Sequence, residues 1–376
     1  MRNFLHENER RQEPLVTAAA RKREKCHGQS CHAIAQRPED PTEFLTLLAR
    51  VLEPSIRTHQ FVARLEGVEL QDIDGFSLGQ YRVIPASLEA IRTLGGDADS
   101  ENAAAFLQHA LREVWITAET RGTPRVAEVK FAAGARLATG LLAVVAGCRY
   151  QHGAHRVRIT VALSAEDASG DARFLSWTDR ERSPTLSFVS ARGCPIQVDA
   201  ALRTELETQW ARAVQILESA HPTELEAAIV RAVYWYGEAH RETPLEMRLL
   251  KYWSCVETFF SASREHITQA VTVGAASVLA FGPRRFVAIE EYRSVKKRLE
   301  ALYEKRSLAT HEAHFGHIAE FEAADFSQWV AWMLVNVILF TEQGCQRCED
   351  LKAWTQQQNT QYDPPPAGDP PNVDTG

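Results

Sequence analysis

At 376 residues the chain is long enough for two or three domains, and 45% hydrophobic with 24% charged residues is the ordinary balance of a globular protein with a sizeable core. A net charge of −7 excludes a protein that coats nucleic acid by bulk charge, so any such contact must be local. Seven cysteines are an odd number and too sparse for a disulfide scaffold, which points to mostly reduced thiols in a cytoplasmic protein.

Residues 1–40 are polar and basic, with Arg10, Arg11, Arg21, Lys22, Arg23 and Lys25, and read as a disordered arm. Met1 to Lys25 has no apolar stretch of the kind a secretory signal needs. Residues 41–198 read as an N-terminal mixed α/β domain. Phe44 to Leu52 and Ala103 to Val114 have helical spacing. Val126 to Phe131, Leu141 to Tyr150, Arg156 to Val161 and Thr185 to Val189 read as strands. Gly95-Gly96-Asp97 and Gly170-Asp171 mark turns between them.

From residue 200 to 356 the period becomes 3.6 and strands vanish. Helices are expected near Ala201–Ala220, then to His240, then from Thr243-Pro244 through Phe260. Further helices follow near His266–Ala280, Phe286–Arg306 and Phe326–Trp354. Thr223-x-x-Glu226 and Thr243-Pro244-Leu245-Glu246 read as capping boxes, in which hydroxyl and carboxylate satisfy each other's free N–H groups. The fold class is therefore α+β, with an α/β domain followed by an all-α bundle. Residues 357–376 read as a Pro-rich disordered tail, with five prolines beyond Asp363. The most apolar run, Trp329 to Phe340, is twelve residues and contains Asn336, short of the ~20 that span a bilayer. No membrane is expected.

Chemistry concentrates at Arg306-Ser307-Leu308-Ala309-Thr310-His311. An Arg guanidinium clamps phosphate with paired hydrogen bonds and stabilises a pentacoordinate transition state. A His moves protons near neutral pH. RNA brings its own nucleophile, the 2′-OH, so the pair could cleave RNA without metal and would spare DNA. Five residues of regular helix place the two about 140° apart. For both to face one ligand, the helix is expected to end or distort between them. Arg284 to Arg306 holds eight basic and four acidic residues, and Lys297, Arg298 and Lys305 are the expected RNA-binding cations.

An Arg and a His five apart arise often by chance. The order of features around them is more specific: Ala232-Val233-Tyr234-Trp235-Tyr236-Gly237, then Arg248 through Trp253 to Glu257-Thr258-Phe259-Phe260, then Leu302-Tyr303 leading to Arg306 and His311. Residues 225–352 resemble the Apea-like branch of the HEPN superfamily, whose motif is an Arg, a polar residue, a few variable positions and a His. Arg306, Ser307 and His311 match it. The resemblance implies a four- or five-helix bundle that dimerises, bringing two Arg–His pairs into one composite cleft. It also implies a metal-independent endoribonuclease of toxin, phage-defence or RNA-processing type, or an inactive member that only binds. His311 would be general acid or base, Arg306 phosphate clamp and Ser307 a polar orienter. The sequence departs from the family where Glu312 replaces a glycine that commonly follows the His.

Other groupings are weaker. His311, His314 and His317 share H-x2-H-x2-H spacing, but Phe315 stands where an H-E-x-x-H site needs its second His. Cys26-His27 with Cys31-His32, and Cys345 with Cys348, resemble halves of a zinc site, the first in the arm and the second inside the last expected helix. The bland reading of surface thiols and a polar loop is preferred, so no metal or cofactor is expected. The chain has no G-x-S-x-G, P-loop or dinucleotide glycine motif.

Overall fold

The computed structural model describes residues 41–101, 113–150, 156–163, 171–176, 185–190, 194–261, 267–311 and 318–364. The basic arm and the tail beyond Pro364 lie outside the described residues, as does most of the helix expected at Ala103 to Val114. The chain is α+β. In order come α1 (Pro41–Leu52), β1 (Arg57–Glu66), β2 (Val68–Leu70), β3 (Phe76–Leu78), β4 (Tyr81–Pro85) and α2 (Leu88–Thr93). Then follow β5 (Val114–Gly122), α3 (Pro124–Arg149), β6 (Thr160–Val161), β7 (Asp171–Ser176), β8 (Thr185–Ser190) and β9 (Ile196–Val198). The bundle comprises α4 (Ala200–Thr208), α5 (Ala211–Glu218), α6 (Glu224–Arg241), α7 (Leu245–Phe260), α8 (Ile267–Phe281), α9 (Tyr292–His311), α10 (Glu320–Glu342) and α11 (Cys348–Tyr362).

Contacts divide the described residues into two compact units, 41–59 with 119–130, and those between 60 and 118 with those between 131 and 364. In the first, His59 Nε2 lies 3.2 Å from the Gly122 carbonyl, and the Thr120 hydroxyl donates to the Ala127 carbonyl. The second holds the rest of a five-stranded sheet of order β3-β4-β5-β1-β6, with β3–β4, β4–β5 and β1–β6 antiparallel. A short parallel pair, β2 with β9, lies apart from it. The expected strand at Thr185 is β8, paired antiparallel with β7. The expected strand at Arg156 shortens to Thr160–Val161, while Val157 makes an isolated bridge to Cys194.

The two strands expected at Val126–Phe131 and Leu141–Tyr150 are instead parts of one 26-residue helix, α3. Leu141 through Ala146 are all essentially inaccessible. With no wet face there is no polar stripe to reveal the 3.6 period, and an apolar run reads equally as a buried strand. α3 then meets α6 backbone to backbone. A Cβ on Gly237 would stand 2.8 Å from Gly140 Cα, and one on Gly140 would stand 2.7 Å from the Val233 carbonyl oxygen. Glycine is required at this crossing because a side chain would push the helices apart. One hydrophobic cluster consequently runs from the sheet (Val83, Ile116, Val161) through α3 into the bundle (Tyr236, Trp253, Phe326).

Three bundle expectations are corrected. The helix expected over Ala201–Ala220 breaks into α4 and α5 at Gln209–Trp210, where the buried Trp210 donates its ring N–H to Glu205 Oε1 at 3.3 Å. The capping box at Thr223–Glu226 is present in both directions, but the one at Thr243 is not. Pro244 is the N-cap there, and the Thr243 hydroxyl accepts from Arg158 Nη2 at 2.8 Å. The helix expected over Phe326–Trp354 is two, α10 and α11, separated at Gly344 with φ +90°. That left-handed geometry favours glycine. α11 continues past the expected boundary at residue 356. Its buried Asn359 accepts from the Tyr292 hydroxyl at 2.8 Å, and Tyr362 stacks on Phe281 with centroids 4.4 Å apart.

α3 and α10 are long and apolar enough to cross a membrane by length and composition alone, since single polar residues interrupt an apolar run without lowering mean hydropathy much. Their most apolar stretches are 67% and 83% buried inside the molecule, as core helices are.

Candidate functional site

α9 forms because Tyr292, Val295, Leu299 and Leu302 recur at three- and four-residue spacing and are buried on one side. A 3-10 turn at Ile289–Glu291 leads into it, with the Glu291 carboxylate accepting the Ala288 N–H. The helix continues without a break through Arg306 and Ser307 to His311, its last residue. Thr310 folds its hydroxyl back onto the Arg306 carbonyl at 2.8 Å. The break expected between Arg306 and His311 is therefore absent, and positions 306 and 311 lie about 140° apart around the helix axis. The His311 side chain, Glu312, His314 and His317 lie outside the described residues.

Arg306 is half-buried and held by α7. Its Nη2 lies 3.0 Å from Glu257 Oε1 and 3.3 Å from Oε2. The guanidinium carbon sits 5.1 Å from the centroid of the Tyr303 ring, within cation–π range. The Tyr303 hydroxyl donates to the same Glu257 carboxylate at 3.1 Å, and Trp253 packs edge-on against Tyr303 with centroids 4.9 Å apart. Burial, and then the Glu257 charge, push the Tyr303 phenol above its ordinary value, so it keeps its proton and remains a donor. Arg306 Nε is buried without a hydrogen-bond partner. The guanidinium thus has its Nη2 on Glu257, while its Nε is closed to solvent.

The other expected cations do not converge on Arg306. Lys305 pairs with both oxygens of Glu322 at 2.6 Å. Burial alone would raise the Glu322 carboxyl, but hydrogen bonds from Lys305 and the Ala319 N–H, with the Lys305 and Arg298 charges, bring it below its ordinary value. Arg298 pairs with Asp325 at 2.6 Å and lies 4.6 Å over the Trp329 ring. Both therefore reach toward α10. Lys297 is exposed and Ser307 is half-buried. Glu257 and Tyr303 lie in the segments that carry the family resemblance, but nothing in the sequence joins them to Arg306 as a holding pair. The available signal was local: Tyr303 and Arg306 are three apart on a helix, so they share a face.

Among the described residues, no group of three or more His, Cys, Asp and Glu side chains could hold a metal ion. The Cys26 to His32 cluster lies outside them. Cys345 and Cys348 are free thiols at the α10–α11 break and at the start of α11, not inside one helix. Burial pushes the Cys348 thiol up to about 11, with a further rise from Glu224.

Comparison with family models, with curated proteins and with solved structures returns no match.

Proposed function

We propose that this chain is a metal-independent endoribonuclease of the HEPN type, cytoplasmic and of bacterial defence or toxin character, that acts as a homodimer on RNA. The observation that supports the reading is Arg306 itself. It is a half-buried arginine fixed by Glu257 and Tyr303, five residues before a histidine that ends the helix. A guanidinium held by a carboxylate and a ring loses little rotamer freedom when a phosphate arrives. His311 would take the 2′-OH proton, and the resulting alkoxide would attack the adjacent phosphorus. Arg306 would neutralise the charge gathering on the pentacoordinate phosphorane. The 5′-oxygen would leave with a proton, giving a 2′,3′-cyclic phosphate and a 5′-hydroxyl. Because a regular helix splays Arg306 and His311 apart, a second protomer would complete the cleft, with each pair contributing to a shared phosphate site.

A second reading, a catalytically silent module that binds RNA or a protein, is favoured by the Arg306–Glu257 pair. That pair already compensates the charge the reaction needs. Incubating purified protein with RNA in EDTA, beside a His311→Ala variant, separates the two. Cleavage by the parent alone supports the nuclease, whereas equal cleavage by both or by neither supports the silent module.

A further inference from the structure

A cavity of about 230 Å³ lies between α10, the α4–α5 break and the end of α3, and Arg306 is not among the residues that line it. Its walls include Trp210, Ala213, Trp332, Val335, Ile338 and Leu339. Arg149, Glu205, Arg284 and Glu342 supply charge. Apolar walls with a few convergent polar groups are what a small-molecule site requires.

The four charges are not equivalent. Arg149 and Glu205 satisfy each other at 2.6 Å, and Glu205 also accepts from the Trp210 indole. Arg284 and Glu342 line the same cavity, and neither has an ion-pair partner among the described residues. Glu342 is moreover the last residue of α10, where the helix dipole already concentrates negative charge. A carboxylate there gains from an arriving cation.

Arg284 is built into place. Asn336 is fully buried on α10, the single amide in the apolar Trp329–Phe340 run. Its Oδ1 accepts the Arg284 N–H at 2.7 Å, and its Nδ2 donates to the Arg284 carbonyl at 2.9 Å and the Trp332 carbonyl at 2.9 Å. A buried amide that grips one residue's backbone on both sides fixes where that residue's side chain begins. The Arg284 charge reaches Cys148 on the cavity wall, opposing the upward push that burial and Glu205 exert on that thiol.

We propose that this cavity binds a small zwitterion with an apolar body, of the aromatic or branched α-amino acid class, its carboxylate on Arg284 and its ammonium on Glu342, with the side chain against Trp332 and Leu339. The assignment is independent of the RNA reading. A simple anion would be attracted by Arg284 and repelled by Glu342, and a simple cation the reverse. A ligand carrying both charges is attracted by both residues and repelled by neither.

Calorimetric titration of the full chain tests it, using L-phenylalanine, L-leucine, 3-phenylpropanoate and phenethylamine as probes. Saturable binding of L-phenylalanine, at least roughly ten-fold tighter than either single-charge analogue, is expected. Arg284→Ala weakens L-phenylalanine about ten-fold and, by removing a like charge, tightens phenethylamine. Glu342→Gln weakens L-phenylalanine and, by removing a like charge, tightens 3-phenylpropanoate. Both side chains are exposed, and circular dichroism checks the fold of each variant. The assignment is overturned by absence of binding of both amino acids, by 3-phenylpropanoate binding as tightly as L-phenylalanine, or by variants that leave the amino-acid affinity intact.

Discussion

Glu257 on α7 holds Arg306 on α9 with both carboxylate oxygens, at 3.0 and 3.3 Å, across 49 residues of sequence. The pair is part of what docks α9 onto α7, and it sits at the point where the proposed chemistry begins. Structure and function can therefore be separated by substitution. Each side chain is about one-fifth to one-quarter exposed, so the pair is partly desolvated but still screened. Arg306→Ala and Glu257→Ala should each cost about 1–2 kcal/mol in urea unfolding, with a coupling of about 1 kcal/mol in the double-mutant cycle. Additive losses would mean that the contact contributes nothing of its own.

On RNA, substitutions at the two positions should diverge. Arg306→Ala removes the clamp and should lower cleavage in EDTA by roughly 10²–10³-fold, the scale of one transition-state donor. Glu257→Gln keeps a hydrogen-bond acceptor but frees the guanidinium of its counter-charge. It should strengthen RNA binding, read by a filter assay at low salt, by a few-fold. If Glu257→Gln leaves RNA affinity unchanged, Arg306 does not meet the phosphate.

Acid should loosen the molecule at identifiable places. The Glu226 carboxyl is lowered chiefly by the Thr223 backbone N–H, despite burial, with further help from the Thr223 hydroxyl and Arg212. Asp363 is lowered first by its hydrogen bond from Lys296. A carboxyl whose folded value lies below its unfolded one stabilises the fold above the unfolded value. That stability is lost as pH falls through the folded value. The unfolded references are 4.5 and 3.8, so the losses should begin just below about pH 4.5 and be complete only below both folded values. Glu226→Gln should flatten the acid limb of a stability–pH curve and leave the neutral-to-alkaline limb parallel to that of the parent.

The parts of the fold legible in the sequence were those that carry a local signal. Thr223 and Glu226 are three apart and cap each other as their spacing implies. The stripe Tyr292, Val295, Leu299 and Leu302 is buried as its period implies. What failed depended on distant partners. Thr243 had the right spacing for a second box, but Arg158, from the sheet side, occupies its hydroxyl. The Leu141–Ala146 run lost its period because other elements cover every face of α3. At the site, the residue types of Arg306 and His311 could be read, but Glu257 as the holder of Arg306 could not. Nothing in a linear pattern joins positions 257 and 306. The unbroken helix through His311 likewise reflects Thr310 bonding back to Arg306 rather than opening a loop.

Asn336 tests whether a buried polar group in an apolar helix is there for the fold or for the cavity it borders. Its amide makes three hydrogen bonds, all to backbone groups. Asn336→Leu would fill similar volume but strand the Arg284 N–H and carbonyl against a side chain that cannot answer them. Each unsatisfied buried group costs about 1–3 kcal/mol, and the gain from added apolar contact offsets part of that. A net loss of about 2–4 kcal/mol is expected, read as a lowered urea midpoint with unchanged slope. Gly282 should be sensitive for the same reason, since a Cβ there would stand 2.7 Å from Asn336 Oδ1 and 2.4 Å from the Val278 carbonyl oxygen. Gly282→Ala should therefore destabilise in the same direction, and combining it with Asn336→Leu should cost less than the sum, because both act on one clamp. A neutral Asn336→Leu would show that water satisfies Arg284 as well as the amide does, and that the α8–α9 connection is held by its other contacts, among them Phe286 stacked on Trp332 at 5.2 Å.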